Sequence, residues 1–279
     1  MKKIFVLLLA LCLLLSLAAC TNEPADAAAT PTPVPTQDAQ VQPTQEPTPE
    51  PEAEVTPEPS AAPEATAEPT PAPLAVTTDT LTKSVMAEDG TEVLLITCAY
   101  PVLSGGSSDM TLQLNEEFAL AAQARLDGAE TEYGQWALES YGSNPDYFMP
   151  FSMEFTVTVT YQDSDLLSYR LEALSFTGGA HPNYNFMGYT YDLATGKELT
   201  LGEVMGMSEE DAQAYVIKAF TDAINADPAM YYPGITESMT DVMGDLEFYR
   251  TQDGVAFGFA PYVIAPYAAG EQVLQYTFE

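Results

Sequence analysis

Residues 21–75 cannot contribute to a hydrophobic core, and this confines the fold to the residues that follow. They contain 14 of the 22 prolines and ten acidic residues, with no lysine, arginine or aromatic residue. Such a segment buries too little apolar surface to offset its ordering entropy. Repeats such as PTPVPT and EPTPEPE are typical of a semi-rigid tether. We therefore predict a disordered linker, followed by one globular domain or two subdomains in about 204 residues.

The first 20 residues predict export and lipid anchoring. Lys2 and Lys3 precede an apolar run over residues 4–15 that is too short to span a bilayer. The string LAAC at residues 17–20 then resembles a bacterial lipobox, in which the cysteine is acylated. We expect a lipoprotein signal peptide over residues 1–20, with the lipid on Cys20 holding the chain at the outer face of the cell membrane.

Cysteine and charge counts exclude several classes of site. With Cys12 in the signal and Cys20 acylated, Cys98 is alone, so neither an intramolecular disulfide nor a thiolate metal cluster is expected. Cys98 lies in an apolar run and is predicted to be a buried core residue. Residues 76–279 carry 31 acidic and six basic side chains, a net charge of −25. This charge repels nucleic acid and anionic lipid, and it favours basic proteins, cations or simply solubility.

Hydrophobic periodicity predicts an α+β fold, with an antiparallel β-sheet packed against helices. The clearest strand covers residues 153–161, where apolar and polar side chains alternate and one face is expected to be wet. Leu114, Phe118, Ala122 and Leu126 recur every four residues in a helix over residues 109–140, with a break near Gly128. Ser208 caps a second helix. Further strands are predicted at residues 92–103, 169–177 (with a bulge at Ala173–Leu174), 187–193, 248–251, 255–259 and 273–278.

The only histidine, His181, stands in TGGAHPN, between two predicted strands. Gly178 and Gly179 give this connection backbone freedom, and Pro182 fixes the backbone after the histidine. A hydrolase would also need a nucleophile and an orienting acid, and the sequence has no GxSxG or HExxH motif. His181 therefore remains open to three interpretations: a structural residue of the rim, a binding contact or a catalytic group. No metal or cofactor is predicted.

Three strings carry a resemblance to a known family. They are SFTGGAHPN at residues 175–183, YTYDLATGKELTLGEV from residue 189, and FYRTQDGVAFGFAPYVIAPYAAG at residues 248–270. Together they resemble the extracellular domain of RsiV-type anti-sigma factors, which also precedes the catalytic domain of PdaC-type peptidoglycan deacetylases. On this basis residues 76–165 form the N-terminal half of an α+β module and residues 166–279 its RsiV-like C-terminal half.

The resemblance implies a non-catalytic cell-envelope module, because in the anti-sigma factors this domain binds lysozyme. We expect a lipoprotein that binds an extracellular protein or a cell-wall glycan, with lysozyme as the sharpest candidate. The candidate contacts lie in two loops and are Gly178, Gly179, His181, Asn183, Tyr262 and Tyr267. The alternatives are a glycan hydrolase that uses a pair of carboxylates, and a purely structural envelope module.

Overall fold

A computed structural model describes residues 73–106 and 108–279 of the protein. The predicted signal peptide, the lipid site at Cys20 and most of the predicted linker therefore lie outside the described residues. The strands are β1 (Ala75–Met86), β2 (Glu92–Ser104), β3 (Phe151–Gln162), β4 (Leu166–Phe176), β5 (Asn183–Asp192), β6 (Glu247–Arg250), β7 (Gly254–Phe259) and β8 (Gln272–Thr277). The helices are α1 (Ser108–Ser143), α2 (Leu201–Met205), α3 (Glu209–Ala226) and α4 (Met239–Val242). None of these described helices is long and apolar enough to cross a membrane.

The predicted α+β class is confirmed, and the strands form two sheets. The larger has the order β1-β2-β3-β4-β5, and the smaller has the order β6-β7-β8. The expectation of an antiparallel sheet is wrong at one place, because β2 and β3 pair in parallel, with Cys98 opposite Phe155. The reason lies in the connection. Parallel neighbours need a long crossover, and α1 supplies it with 36 residues between the two strands.

Helix α1 covers one face of the larger sheet. The predicted stripe of Leu114, Phe118, Ala122 and Leu126 is buried, and it packs in clusters with side chains of β2 and β4. The expected break near Gly128 is wrong, because α1 runs through it. A glycine costs a helix about 1 kcal/mol, and packing of the buried stripe offsets this. Cys98 is fully buried and unpaired, as predicted, and burial raises the pKa of its thiol.

The predicted bulge also lies elsewhere. Ala173 and Leu174 stay in register with β3, whereas the register shifts between Val159 and Tyr161. The alternation of β4 misled the prediction because both faces of this strand bury side chains. Leu167 and Tyr169 face α1, while Ser168 between them is also buried.

The smaller sheet has its own core with α3. Val216, Phe220 and Ile224 of the helix pack against Phe257 and Phe259 of the central strand. The predicted cap at Ser208 is confirmed, since its side chain accepts a hydrogen bond from the amide of Asp211. The prediction missed three elements, the edge strand β1 and the short helices α2 and α4. Helix α2 begins with a capping box between Thr200 and Glu203, and the spacing Thr-x-x-Glu is the signal that identifies it.

The two sheets meet where β6 crosses β5, on the face opposite α1. The crossing is so close that a Cβ atom built on Gly188 would overlap the carbonyl of Phe248. Buried hydroxyl groups satisfy the backbone there: the amide of Arg250 donates to Ser168 Oγ at 2.9 Å, and Ser168 also meets Thr190 at 2.9 Å. We call this contact the sheet crossing.

Arg250 extends the sheet crossing with its side chain. The guanidinium lies over the ring of Tyr161 at 4.4 Å and over the ring of Phe278 at 4.3 Å. It also donates to the carbonyl of Gly254 at 2.8 Å. A cation between two rings contributes about 0.5–2 kcal/mol for each contact, more where water is excluded. Arg250 therefore ties the larger sheet to one end of the smaller one, where β6 ends, β7 begins and β8 ends.

Replacement of Gly188 with alanine tests the sheet crossing. We expect Gly188→Ala to lower the free energy of unfolding by about 1–3 kcal/mol or more, because the new methyl group meets backbone that cannot rotate away. The matched control is Gly128→Ala, since a Cβ atom at Gly128 meets nothing within 4 Å. The control should gain about 0.5–1 kcal/mol from helix propensity. Urea unfolding followed by circular dichroism measures both. Equal stability of the two variants would contradict the assigned crossing.

Candidate functional site

The loop that carries His181 connects β4 to β5 and spans residues 177–182, as the sequence predicted. Gly178 has a φ angle of +84°, a conformation that glycine adopts without steric cost. Gly178, Gly179 and His181 are exposed, and Asn183 is the exposed first residue of β5. The loop is thus a rigid turn that presents its side chains to solvent at one end of the larger sheet.

The second predicted loop spans residues 260–271 between β7 and β8. Its base is fixed, because Ile264 and Ala265 are buried and the carbonyl of Ile264 accepts from the amide of Tyr232 at 3.0 Å. Its tip is strained. Tyr262 has a φ angle of +72° and is the one non-glycine residue with a positive φ in the described part of the chain. This backbone costs an L-residue about 1–2 kcal/mol, yet the ring of Tyr262 is 56% exposed.

The two loops meet through their aromatic side chains. The ring of His181 stacks on Tyr267 with centroids 4.2 Å apart, and Tyr262 lies 5.5 Å from the same ring. The hydroxyl of Tyr267 donates to the carbonyl of Pro182 at 2.7 Å. Tyr184 of β5 completes the group, since its ring meets Tyr267 edge to face with the centroids 5.7 Å apart. We call His181, Tyr184, Tyr262 and Tyr267 the aromatic surface.

The described contacts of His181 are a backbone hydrogen bond and a ring stack. Nδ1 lies 3.0 Å from the carbonyl of Pro182, so that nitrogen donates, and the ring face is covered by Tyr267. A general base needs a hydrogen-bonded nucleophile and an orienting carboxylate, and these contacts supply neither. Within the described residues, no three His, Cys, Asp or Glu side chains are grouped as metal ligands.

The predicted site residues thus divide into two groups. His181, Tyr262 and Tyr267 come together in the aromatic surface. Gly178 and Gly179 shape the turn, and a side chain at Gly178 would face Phe151. Asn183 pairs with Ser175 in the strand ladder. The prediction missed Tyr184, although it shares a strand face with Phe186 and stands next to the quoted string.

A groove adjoins the aromatic surface on the face of the larger sheet that α1 leaves open. Its volume is about 300 Å³, and its lining consists of Glu154, Thr156, Glu172, Ala173, Leu174 and Tyr184. Glu154 and Thr156 belong to the face of residues 153–161 that was predicted to be wet, and both are exposed. Tyr184 is common to the groove and the aromatic surface, so the two are continuous.

Arg170 links the groove to the 260–271 loop. It donates to Glu172 of the groove at 2.8 Å and to Glu271 at the end of the loop at 2.7 Å, and it lies 4.5 Å from the ring centre of Phe186. Burial alone would lower the pKa of Arg170, but hydrogen bonds to Glu271 and Tyr249 raise it well above its ordinary value. Arg170 Nε and Glu271 Oε2 are buried without a protein partner. The pair therefore fixes the wall of the groove and the base of the loop together.

Comparison with known proteins identifies related domains. Residues 87–184 match the family model described as deacetylase PdaC. This span includes β2 to β4 and the 177–182 loop, and it ends before the 260–271 loop. No curated protein is significantly similar to the chain in sequence.

Two solved structures resemble the protein. A member of the DUF3298 family from Bacteroides fragilis has a TM-score of 0.51 at 18% identity, and the match covers 73% of this chain and 90% of that chain. A DUF3298 family protein from Pseudomonas aeruginosa has a TM-score of 0.44 at 19% identity, covering 74% and 91%. The first of these shows the shared fold. With the family match, it supports a domain of the PdaC and DUF3298 type.

The strain at Tyr262 gives a direct prediction. Asparagine tolerates a positive φ better than tyrosine does. We expect Tyr262→Asn to raise the free energy of unfolding by about 0.5–1 kcal/mol, after the loss of a partly exposed ring contact is counted. Tyr147→Asn is the control, since Tyr147 is 82% exposed and has no positive φ. Thermal unfolding measures both. A less stable Tyr262→Asn variant would show that the ring packs more strongly than its backbone is strained.

Proposed function

We propose that the protein is a non-catalytic, lipid-anchored envelope protein whose folded domain binds a basic extracellular protein. Lysozyme-like enzymes are the first candidates. The observation that carries the proposal is the exposed ring of Tyr262, which is kept in a strained backbone beside Tyr267 and His181. Strain of this kind persists where a position serves function, and exposed tyrosines are common anchors of protein interfaces.

Charge supports a basic partner. Residues 76–279 have a net charge of −25, which attracts a positively charged protein over several ångströms and repels nucleic acid and anionic lipid. Charge of this kind raises the association rate more than it raises the final affinity. The specificity must then come from short-range contacts, for which the aromatic surface is the best-formed candidate.

The family resemblance points the same way. The RsiV-type domain that the sequence resembles binds lysozyme, and the PdaC match covers residues 87–184. The predicted signal peptide and the lipid on Cys20 would place the domain at the outer face of the membrane, where it meets such enzymes. A hydrolase with His181 as its general base finds less support, because Nδ1 is hydrogen-bonded to the carbonyl of Pro182 and the ring face is covered by Tyr267.

Binding to egg-white lysozyme tests the proposal. We expect a soluble form of residues 21–279 to bind lysozyme saturably at moderate salt in biolayer interferometry. Cytochrome c and ribonuclease A, which are also basic, should bind weakly and lose binding as salt screens the charge. The variant Tyr262→Ala should weaken lysozyme binding about tenfold or more, as for an interface hot spot.

The matched control for this experiment is Tyr147→Ala, which removes a more exposed tyrosine far along the chain from both loops. It should bind lysozyme as the unmodified protein does. Equal, salt-sensitive binding of all three basic proteins would reduce the interaction to net charge and refute a specific partner. Full lysozyme affinity in Tyr262→Ala would remove the aromatic surface from the interface.

A further inference from the structure

We propose that the groove beside the aromatic surface is a carbohydrate-binding site that takes one pyranose ring of a neutral glycan. The groove lies on the open face of the larger sheet and holds about 300 Å³, at the lower end of the range for small-molecule sites. The groove shares only Tyr184 with the aromatic surface that carries the protein-binding proposal. The inference therefore stands or fails separately from that proposal.

The lining of the groove matches the two sides of a sugar. A pyranose ring has apolar C–H faces and a rim of hydroxyl groups. The side chain of Leu174, which is 39% exposed, and the ring of Tyr184 provide apolar contact for one face of the sugar. Around them, Thr156 and the hydroxyl of Tyr184 both donate and accept hydrogen bonds, while the two carboxylates accept them from sugar hydroxyls.

The two carboxylates stand on neighbouring strands. Glu154 lies opposite Leu174, and Glu172 lies opposite Thr156, so the two glutamates are diagonal neighbours across the ladder. Their Cβ atoms are about 7–8 Å apart or less. This spacing leaves room for a sugar ring between them. Each carboxylate can then accept from hydroxyls on a different edge of the ring.

The contacts of Arg170 explain why the groove suits a neutral ligand rather than a cation. Its guanidinium donates to Glu172 at 2.8 Å and to Glu271 at 2.7 Å, so Glu172 is fixed in place and its charge is partly compensated. A lysine or arginine side chain of a ligand would pair with one free carboxylate, Glu154, and would make no use of the apolar wall. An anionic ligand would be repelled by both glutamates. Only a neutral polyhydroxylated ligand uses all parts of the lining.

The groove also has a natural extension. Tyr184 meets Tyr267 edge to face at 5.7 Å, and Tyr267 lies beside Tyr262 and His181. A glycan longer than one residue would therefore run from the groove onto exposed ring faces, which supply contact area at little cost in side-chain entropy. Trisaccharides are therefore used as probes.

The experiment uses residues 21–279 and three trisaccharides: the N-acetylglucosamine trimer, cellotriose and the cationic glucosamine trimer. Saturation-transfer NMR and calorimetry at low and moderate salt measure binding. We expect at least one neutral trimer to bind saturably, with an affinity that salt does not change. Tyr184→Ala and Glu154→Gln should each weaken it about tenfold. Tyr184→Phe, which keeps the ring, should lose less.

The matched control is Glu139→Gln, which changes an exposed carboxylate of α1 on the other side of the sheet. It should leave sugar binding unchanged, and urea unfolding of every variant shows that the fold is intact. Lysozyme binding should survive Glu154→Gln, which separates the two proposals. The inference is overturned if neither neutral trimer binds, if only the glucosamine trimer binds and salt abolishes it, or if the groove variants bind as tightly as the control.

Discussion

The crossing of β6 over β5 at Gly188 is the contact on which the rest of the site depends. Only a residue without a side chain lets the backbone of Phe248 approach so closely. The approach brings the buried hydroxyls of Ser168 and Thr190 to the amide of Arg250, which would otherwise be buried without a partner. Once the sheets are locked in this orientation, the loops at their ends face each other.

Two tethers then convert this orientation into a fixed surface. Tyr267 donates to the carbonyl of Pro182, which lies 85 residues away in the sequence. Arg170 binds both Glu172 and Glu271, and Glu271 lies 101 residues away from it. Removal of one partner from a half-buried charged pair lowers the stability by more than the intact pair contributes to it, because the other charge is left uncompensated. The aromatic surface and the groove are therefore preorganised, and a ligand need not order them on binding.

Local patterns in the sequence predicted much of the fold. The alternation at residues 153–158, the stripe from Leu114 to Leu126 and the cap at Ser208 each report on neighbours within one element, and each is confirmed. The predicted alternation fails from Val159, which is exposed, because the register shifts there. The sequence also paired the two loops that meet in the aromatic surface, through their glycines, prolines and tyrosines. The parallel pairing of β2 with β3, the position of the bulge and the groove depend on contacts between distant strands. The hydrophobic periodicity of a single strand carries no information about contacts between distant strands. In β4, which buries side chains on both faces, the periodicity is even misleading.

Charge and aromatic contact have separate tasks in this domain. All six basic side chains of residues 76–279 are engaged within the fold: Lys83, Arg170, Lys197 and Lys218 in ion pairs, and Arg125 and Arg250 with tyrosine or backbone groups. The exposed ion pairs add little stability. Because all the basic groups are engaged within the fold, the excess of acidic groups remains uncompensated. In the proposed function, that excess would act at long range and attract a basic molecule without choosing among such molecules. The aromatic surface and the groove would act only at contact, where shape and hydrogen bonds discriminate between ligands. Selectivity must then be independent of salt, although the association rate depends on salt.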